Sequence, residues 1–540
     1  MLIGLDVGTT AVKVSAISTA GLGEIATAQQ EYPLTSPQPG WQVQDPATVL
    51  AAVDAALRSC VGALGSSRPV GVSVGSAQHG LVGLDDRYEP VTPIITWADA
   101  RATAEARELR EAGRAPELLR RTGTPVHPMS PLVKLMWLAR HEPKMARSVR
   151  WWVGLKDLVL LHLTGSLVTE LSSASATGLL NLEARDWDPA AVELAGISAD
   201  QLPPVLPTTT VLELAGSTAA ATGLTAGLPV VVGAADGPLG NLGTGAIEPG
   251  LAGLSLGTSG ALRMAVDAPR VDPAGSLFCY ALTDDLWVLG GAVSNGGIVM
   301  RWAGTTFAAD LVDDGHADRE LLALAAEAPP GSAGLLMLPY LLSERSPLWD
   351  PELTGAYFGI RHHHTRQHFL RAALEGVCLQ VSSIVDALET VAPVREVRAT
   401  GGPFRSPLWR TVMAAMLGRP LVIEGSAGGT ALGAAALGWY ALGGAPDLPS
   451  ALSALRGSEA DRTPVPVKPE DLETYARLRA DFPDLIRSYA AVAAVFDKPQ
   501  ATRRSRKGDP LEPPLAKPPM AEPPLALRAH GSRDTPSGDL

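Results

Sequence analysis

Apolar runs of strand length alternate with longer segments of helical periodicity along most of the chain. Leu2–Val7 and residues 11–18 are two such runs, and the tight turn Gly8-Thr9-Thr10 between them predicts a pair of adjacent strands. Residues 69–75 and 229–233 are further apolar runs of strand length that end at turn residues. The alternation of strands and helices predicts an α/β fold.

The strand–turn–strand pattern restarts near residue 250. Residues 251–256 and 261–266 are two apolar runs joined by Gly257-Thr258-Ser259-Gly260. Two such units, about half the ordered chain apart, indicate two similar domains that face each other. Gly-Thr turns are common in α/β proteins, however, so the repeat by itself does not decide for a duplication.

Several segments have the periodicity of helices. Residues 367–389 predict a long amphipathic helix, and residues 469–492 predict a second one. Ser130 and Pro131 predict an N-cap and a first-turn proline for a helix over 132–140. Residues 431–445 are apolar but fall short of the roughly 20 residues that span a membrane, so we expect a small-residue helix packed inside the protein.

Length and composition predict three regions. A chain of 540 residues exceeds one ordinary core, and from about residue 498 the sequence becomes rich in proline and charge. We therefore expect an N-terminal domain over 1–245, a C-terminal domain over 246–495 and a disordered Pro-rich tail over 496–540. Because 46% of residues are hydrophobic and 19% charged, the ordered part is typical of a soluble globular enzyme.

The overall charge excludes some classes of partner. The formal net charge is −12, which argues against general binding to nucleic acids or anionic membranes. Three widely spaced cysteines form neither a disulfide framework nor a metal motif, and the N-terminus does not resemble a signal peptide. We therefore expect a cytoplasmic enzyme that gathers positive groups inside a cleft for anionic substrates. The oligomeric state is open, with a homodimer as one option.

Phosphoryl transfer needs donors around the phosphates, Mg²⁺ held by oxygen ligands, and a group that removes the acceptor's proton. The sequence has neither a GxxxxGK[ST] loop nor the Gly-rich loop, HRD and DFG set of protein kinases. The segment from Asp6 to Lys13 offers another cradle, because Gly8 permits close backbone approach and the threonines add hydroxyl donors. The same residues would also suit a plain β-hairpin.

A third glycine-rich turn follows the apolar run 397–400. Gly401 and Gly402 would let an adenine or ribose lie against bare backbone, and the predicted helix that follows would favour phosphate at its N-terminus. A Gly-Gly pair alone is usually only a turn. Its place after the turns at Thr9 and Thr258 is what favours a nucleotide site.

Three segments carry a family resemblance. Residues 129–138 resemble the first signature of the FGGY carbohydrate kinases, and residues 355–360 with 368–375 resemble the second. The likeness runs from Met1 to about Gly444. It implies two actin-like (ribonuclease H-like) ATPase domains facing across a nucleotide and sugar cleft, and an enzyme that uses ATP and Mg²⁺ to phosphorylate a sugar.

The resemblance also assigns roles to residues. The family's catalytic base is an Asp in an Asp-Gly pair at a strand end, here Asp236-Gly237, although Asp236 would also suit an N-cap. Asp6, through water, and Asp236 match the Mg²⁺ position. The positions that match nucleotide contacts are Thr9, Thr10, Lys13, Thr258, Gly297, Gly401, Gly402 and Ser406. The positions that match substrate contacts are Gln78, His79, Trp97, Asp99, Arg101, Asp236, Gly237 and Arg345.

Several stretches resemble the gluconokinase branch, among them 121–130, 173–182 and 343–349. Gluconate carries a carboxylate, so its site needs a cation or convergent donors at one end. The candidates are His79, Arg101, His127 and Arg345, each of which could also be structural. The alternatives are a xylulose kinase or another ketose or polyol kinase of the same family, and a non-catalytic actin-like sugar-binding protein.

Overall fold

The computed structural model describes residues 1–21, 23–311, 317–424, 429–456 and 463–493. The chain divides into two units, Met1–Ala490 and Ala491–Leu540, and only the end of one helix is described in the second unit. The predicted tail, residues 496–540, lies outside the described residues. The account below therefore concerns the first unit.

Strands and helices alternate through the described chain. The strands are β1 (Leu2–Val7), β2 (Ala11–Ile17), β3 (Glu24–Glu31), β4 (Val43–Gln44), β5 (Val72–Ser76), β6 (Val82–Leu84), β7 (Ile94–Ile95), β8 (Trp151–Val153), β9 (Thr169–Glu170), β10 (Leu180–Asn181), β11 (Asp186–Trp187), β12 (Val205–Leu206), β13 (Val211–Glu213), β14 (Pro229–Val231), β15 (Leu251–Leu256), β16 (Gly260–Val266), β17 (Phe278–Ala281), β18 (Trp287–Val293), β19 (Leu336–Leu338), β20 (Ala356–Phe358), β21 (Glu396–Thr400) and β22 (Leu421–Ile423). The α-helices are α1 (Pro46–Gly62), α2 (Thr103–Glu111), α3 (Ala115–Thr122), α4 (Pro131–His141), α5 (Pro143–Ser148), α6 (Leu155–Thr164), α7 (Leu171–Ser175), α8 (Pro189–Leu194), α9 (Gly216–Thr222), α10 (Asp236–Thr244), α11 (Gly297–Phe307), α12 (Ala317–Ala326), α13 (Arg366–Glu389), α14 (Pro407–Leu417), α15 (Gly429–Ala441), α16 (Leu448–Arg456) and α17 (Pro469–Ala493). Short 3-10 helices lie at Ala199–Gln201, Ala309–Leu311, Ser332–Gly334 and Gly402–Arg405.

The N-terminal half is built on a six-stranded sheet in the order β3-β2-β1-β5-β14-β13. The strands β3, β2 and β1 are antiparallel neighbours, β5 and β14 continue parallel to β1, and β13 closes the edge antiparallel. The central strands β1 and β5 are almost fully buried, as expected for strands covered on two sides.

The C-terminal half repeats this arrangement. Its sheet has the order β17-β18-β16-β15-β21-β22, in which β18, β16 and β15 are antiparallel and β21 and β22 run parallel to β15. Five strands of each sheet therefore share one order and one set of directions. The similarity of two halves, which the repeated turns predicted, is confirmed.

Helices α10 and α15 join the two halves. A Cβ added at Gly433 would lie 1.9 Å from the carbonyl oxygen of Leu239, and one added at Gly243 would lie 2.2 Å from that of Gly429. The helices touch backbone to backbone because these positions carry no side chain. Helix α15 also lies on β1, where the carbonyl of Ala431 reaches the space beside Gly4.

Most predicted elements agree with the structure within a few residues, including α13, α17 and both strand pairs. The N-cap prediction at Ser130 is wrong in one respect. Ser130 has the extended backbone of an N-cap, but its side chain makes no capping hydrogen bond. The small-residue helix predicted over 431–445 is α15, and its central residues are buried. Within the described residues, every helix is too short or too polar to cross a membrane.

Candidate active site

Asp236 lies where the N-terminal sheet meets α10. Strand β14 ends at Val231, Ala235 forms a parallel bridge with Ser76, and Asp236 is the first residue of the helix. The N-cap is Ala235, so the alternative of Asp236 as the capping residue does not hold. Its Oδ1 accepts a hydrogen bond from the Gly237 amide at 2.7 Å. Burial raises the pKa of Asp236, although the Arg263 guanidinium opposes the shift, so the carboxylate has an increased affinity for a proton.

Asp6 is a second carboxylate at the same edge of the sheet. It is the penultimate residue of β1, and its Oδ1 has no hydrogen-bond partner among the described residues although water cannot reach it. Burial and the nearby charge of Asp236 raise the pKa of Asp6 to about 7, against the opposing effects of Lys13 and Thr430. A bound cation would relieve the repulsion between the two carboxylates.

These two carboxylates suit a cation that keeps most of its water. No cluster of three or more His, Cys, Asp or Glu residues with metal-ligand geometry occurs in the described part of the chain. Mg²⁺ is commonly held by one or two carboxylates with waters and substrate phosphates, rather than by a full protein cage. The orphaned Oδ1 of Asp6, facing Asp236, fits that mode of binding.

The turn after β1 is fixed from one side and open on the other. Thr9 Oγ1 accepts a hydrogen bond from Trp97 Nε1 at 2.8 Å, and the Thr9 carbonyl accepts one from Gln44 at 2.6 Å. Thr10 and Lys13, by contrast, have exposed side chains. The turn is thereby held in place while its other donors remain accessible to a ligand.

The C-terminal half brings a second set of predicted residues together. The Gly297 amide donates to the Gly257 carbonyl at 2.7 Å, which places the N-terminus of α11 against the turn that contains Thr258. Gly401 has a φ of 124°, and a Cβ there would lie 1.9 Å from the Leu256 carbonyl oxygen, so only glycine fits. Thr258, Gly297 and the Gly401-Gly402 pair thus surround one short turn.

Ser406 lies beside this group, at the N-cap of α14. It follows the short 3-10 helix Gly402–Arg405, which contains the unusual pair Pro403 and Phe404. Phe404 is buried and Pro403 packs near Gly297, so the two residues shape the backbone around the glycine pair. The Ser406 side chain makes no capping bond.

The loop after β5 positions Gln78 and His79. His79 has a φ of 63°, and its Nδ1–H donates to the Ala176 carbonyl at 2.7 Å. Burial and Lys134 lower the pKa of His79 to about 3, so the ring is neutral and its Nε2 can accept a hydrogen bond. Gln78 Nε2 is shielded from water and lacks a partner among the described residues, which leaves a donor for a ligand hydroxyl.

Asp99 and Arg101 bind each other. Two nitrogens of Arg101 donate to the Asp99 carboxylate at 2.8 Å each, and both side chains are almost completely buried. Asp99 also accepts the Gln42 amide at 2.7 Å, and the guanidinium lies 3.7 Å from the centre of the Trp41 ring. The structure therefore favours the structural interpretation of this pair.

Arg345 lies in the cleft, with its guanidinium 4.8 Å from the centre of the Trp97 ring. It donates to Ser294 Oγ at 3.0 Å and to the Val293 carbonyl at 2.9 Å, both at the end of β18. Both acceptors are neutral, so the charge of Arg345 has no direct carboxylate partner there. Arg345 and Trp97 thus come together, on opposite sides of the contact between the two halves.

Models of protein families match both halves of the chain. The N-terminal domain of the FGGY family of carbohydrate kinases matches residues 1–243, and its C-terminal domain matches residues 252–442. The chain belongs to the FGGY family of carbohydrate kinases. Kinases of this family use ATP, and their two-domain α/β fold is the one described above.

Individual relatives support this membership. The gluconokinase of Bacillus subtilis (strain 168) is 38% identical over 475 residues, which cover 86% of this chain and 92% of the relative. The xylulose kinase of Escherichia coli (strain K12) is 32% identical, over 81% of this chain and 89% of the relative. The crystal structure of gluconate kinase from Lactobacillus acidophilus has a TM-score of 0.84 at 32% identity, over 92% of this chain and 99% of that chain.

Sequence reasoning missed two buried groups of this FGGY kinase. Arg263 on β16 lies against Asp236 and Gly237, and the only signal is a single charge inside an otherwise apolar strand. Lys156 and Glu170 form a buried ion pair of 2.9 Å.

The Lys156–Glu170 pair is linked to the loop that leads into Asp236. Glu170 accepts hydrogen bonds from the first amides of α7, and Ser172 of that turn accepts the amide of Ala235 at 3.2 Å. The residue before Asp236 is thereby held by a buried polar chain, whose members come from distant parts of the sequence. Hydrophobic periodicity gives no signal for such a chain.

Proposed function

We propose that this protein catalyses the ATP-dependent phosphorylation of D-gluconate on its terminal hydroxyl, giving 6-phospho-D-gluconate. The observation that carries the choice of substrate is the identity to two Bacillus gluconokinases, 36–38% over 86–90% of the chain, against 20–33% to individual xylulose kinases. The geometry of the cleft supports the reaction, because one carboxylate with a raised pKa lies beside a second carboxylate and between two phosphate-type turns.

Asp236 would act as the general base. It would accept the proton of the sugar hydroxyl as that oxygen attacks the γ-phosphate of ATP in line. Its raised pKa favours proton uptake, and the Gly237 amide fixes one of its oxygens. Gln78, His79 and Trp97 would orient the sugar, and Gly237 leaves room for the Gln78 and Arg263 side chains beside the base.

Two turns would hold the nucleotide. Thr9, Thr10 and Lys13 would bind phosphate oxygens from the N-terminal half, and Thr258 would do so from the C-terminal half. Gly297, Gly401, Gly402 and Ser406 would border the adenosine. Mg²⁺, held by Asp6 through water and by Asp236, would neutralise charge on the phosphates.

The two halves would move as domains. We place the boundary near residue 245, at the end of α10, and propose that the halves close around ATP and sugar. Each half supplies only part of the donors, so closure would complete the site and exclude water. The three cysteines are all free and buried, which fits the reducing cytoplasm where we place the reaction.

A substrate comparison tests the proposal. ATP consumption is measured with D-gluconate, D-xylulose and glycerol against ATP alone, and kcat/KM is expected to be highest for gluconate. A higher kcat/KM for xylulose would leave a carbohydrate kinase but replace the acceptor. Equal ATP consumption with and without every sugar would support the non-catalytic alternative.

A further inference from the structure

Arg263 extends from the C-terminal sheet into the cleft. It lies in the middle of β16, and its neighbours on the two adjacent strands are Gly253 and Gly290. A Cβ at Gly290 would lie 3.0 Å from Arg263 Cγ, so the glycine makes room for the arginine side chain. At the other end, a Cβ at Gly237 would lie 3.0 Å from Arg263 Nη2. The guanidinium therefore reaches the residue next to Asp236 in the opposite half.

One donor of this guanidinium has no acceptor. The Arg263 Nε is completely shielded from water and has no hydrogen-bond partner among the described residues, and the carboxylate that acts on the guanidinium is Asp236. The hydroxyl of Tyr280, on the neighbouring part of the sheet, is also shielded; the Thr124 side chain lies near it, but the two make no hydrogen bond of good geometry. Burying such donors without well-placed acceptors destabilises a protein. A site that keeps them is built for a ligand that supplies acceptors.

The charges in this part of the cleft do not balance. Burial and the nearby Arg263 guanidinium lower the pKa of Arg345 to about 10, and Asp236 is a carboxylate that acts on both arginines. Glu344, on the Arg345 loop, does not compensate because burial raises its pKa well above the usual range. Two guanidinium groups thus face one carboxylate, which leaves room for one further negative charge.

Other cationic candidates are already engaged. Arg101 is paired with Asp99, and burial keeps His79 neutral. Both ring nitrogens of His127 are occupied, since Nδ1 accepts the Met129 amide and Nε2 donates to the Glu344 carbonyl. Lys156, which is also close enough to Asp236 for their charges to interact, is paired with Glu170. Arg345 and Arg263 are therefore the cations beside Asp236 that remain among the described residues.

We propose that Arg263, together with Arg345 and the Tyr280 hydroxyl, binds the carboxylate of a sugar-acid substrate. The inference rests on the proposed gluconate kinase function and names the residues that would select it. A guanidinium offers paired N–H donors that match a carboxylate. Arg263 lies three residues inside β16 from Gly260, roughly 10 Å along the strand from the Thr258 turn, so it is set apart from the phosphate cradle.

The test compares enzyme variants and substrate analogues together. D-Gluconate is compared with D-gluconamide, which replaces the carboxylate by a neutral amide, in wild type and Arg263→Gln. Gluconate and gluconamide binding are measured by calorimetry, and kcat/KM by ATP consumption. In wild type, gluconate should bind about 10- to 100-fold more tightly than gluconamide, and Arg263→Gln should remove most of this preference. The affinity for MgATP should change by less than about twofold.

Controls separate the explanations. Arg270→Gln removes an exposed arginine paired with Asp267 after the same strand, and should keep the full preference. Arg263→Lys retains the positive charge but not the paired N–H donors of the guanidinium, and should keep part of the preference for gluconate over gluconamide. It replaces Arg263→Gln in the test if that variant does not fold. Circular dichroism and thermal unfolding check the fold of each variant.

Three results would be decisive against the inference. Equal losses for gluconate and gluconamide in Arg263→Gln would show that Arg263 acts on Asp236 or the sugar hydroxyls. A large loss of MgATP affinity in Arg263→Gln would show that Arg263 binds phosphate. An unchanged preference for gluconate over gluconamide, with unchanged MgATP affinity, would show that Arg263 binds neither the carboxylate nor phosphate. If wild type phosphorylates xylulose better than gluconate, the proposed function itself fails, which is a separate outcome.

Discussion

The two halves of the molecule share the order and direction of their strands but differ in the side chains beside their Gly-Thr turns. In both, a central antiparallel strand pair encloses a Gly-Thr turn, and two parallel strands follow on the same side. Two residues before the glycine of the turn, however, the N-terminal half has the half-buried carboxylate of Asp6, and the C-terminal half has the exposed hydroxyl of Ser255. The repeated fold supplies donors for phosphate twice, whereas the carboxylates at the candidate site lie in one half only.

This difference assigns separate tasks. The N-terminal half has Asp6, Asp236 and the loop of Gln78 and His79, and under the proposed function it would supply the base, the metal site and most sugar contacts. The C-terminal half has glycine backbone around Thr258, whose hydroxyl accepts a hydrogen bond from Arg301 at 3.2 Å, and these groups suit nucleotide binding. Arg263 and Arg345 are the exceptions, since they extend from the C-terminal half to the carboxylate of the other half.

The largest expected effect concerns the base. Asp236→Asn keeps the shape of the side chain but removes the proton acceptor, so kcat should fall by about 10²- to 10⁴-fold. Nucleotide affinity, which depends mainly on the two turns, should change little. The measurements are kcat with gluconate and calorimetric ATP binding, and Asp267→Asn on the exposed surface serves as the control. Near wild-type kcat would remove Asp236 from the mechanism.

The second change makes the N-terminal turn resemble its C-terminal counterpart. Asp6→Ser should lower activity by about 10- to 100-fold, because the outer support of a metal ion is lost. The signature is a raised Mg²⁺ requirement, measured as kcat at increasing free Mg²⁺. If activity falls but the Mg²⁺ dependence is unchanged, Asp6 has another role.

The third change acts where the halves join. Gly433→Ala would place a methyl group 1.9 Å from the Leu239 carbonyl oxygen and should destabilise the protein by about 1–3 kcal/mol. The apparent Tm from thermal unfolding measures the effect. Gly216→Ala, at a helix start with no atom within 4 Å of the added Cβ, is the matched control and should leave the apparent Tm almost unchanged. Similar Tm values for the two variants would contradict the close contact of α10 and α15.

A further expected effect is a pH dependence of the ligand-free protein. The pKa of Asp6 rises from 3.8 to about 7 on folding, so between these values the folded protein holds a proton that the unfolded chain releases. Stability from this group therefore falls as the pH rises from about 4 to 7. Asp6→Asn removes this slope. Thermal unfolding of both proteins at pH 5 and pH 8 should show the variant gaining relative to wild type at pH 8, and parallel curves would argue against the raised pKa.

The strands around both turns could be predicted almost to the residue because each is a mostly apolar run with one end at a Gly-Thr turn. Local chemistry was harder to predict. Ser130 follows the sequence rule for an N-cap, yet its hydroxyl makes no capping bond. Asp99 and Arg101 were expected near the sugar, but the structure pairs them because Trp41 and Trp137, distant in sequence, enclose the guanidinium. Arg263 was missed since its role depends on Gly237, which reaches it only through the packing of two domains.

The contact between α15 and β1 has a consequence for how the chain is made. Strand β1 is synthesised long before the helix that lies against Gly4, because that helix begins at Gly429, more than four hundred residues later. Until that helix leaves the ribosome, one face of the N-terminal sheet is not covered and exposes apolar strand residues to water. The nascent N-terminal half therefore cannot complete the packing of this sheet until the end of the C-terminal half has been synthesised. Protection of the uncovered face by a chaperone would matter most during that interval.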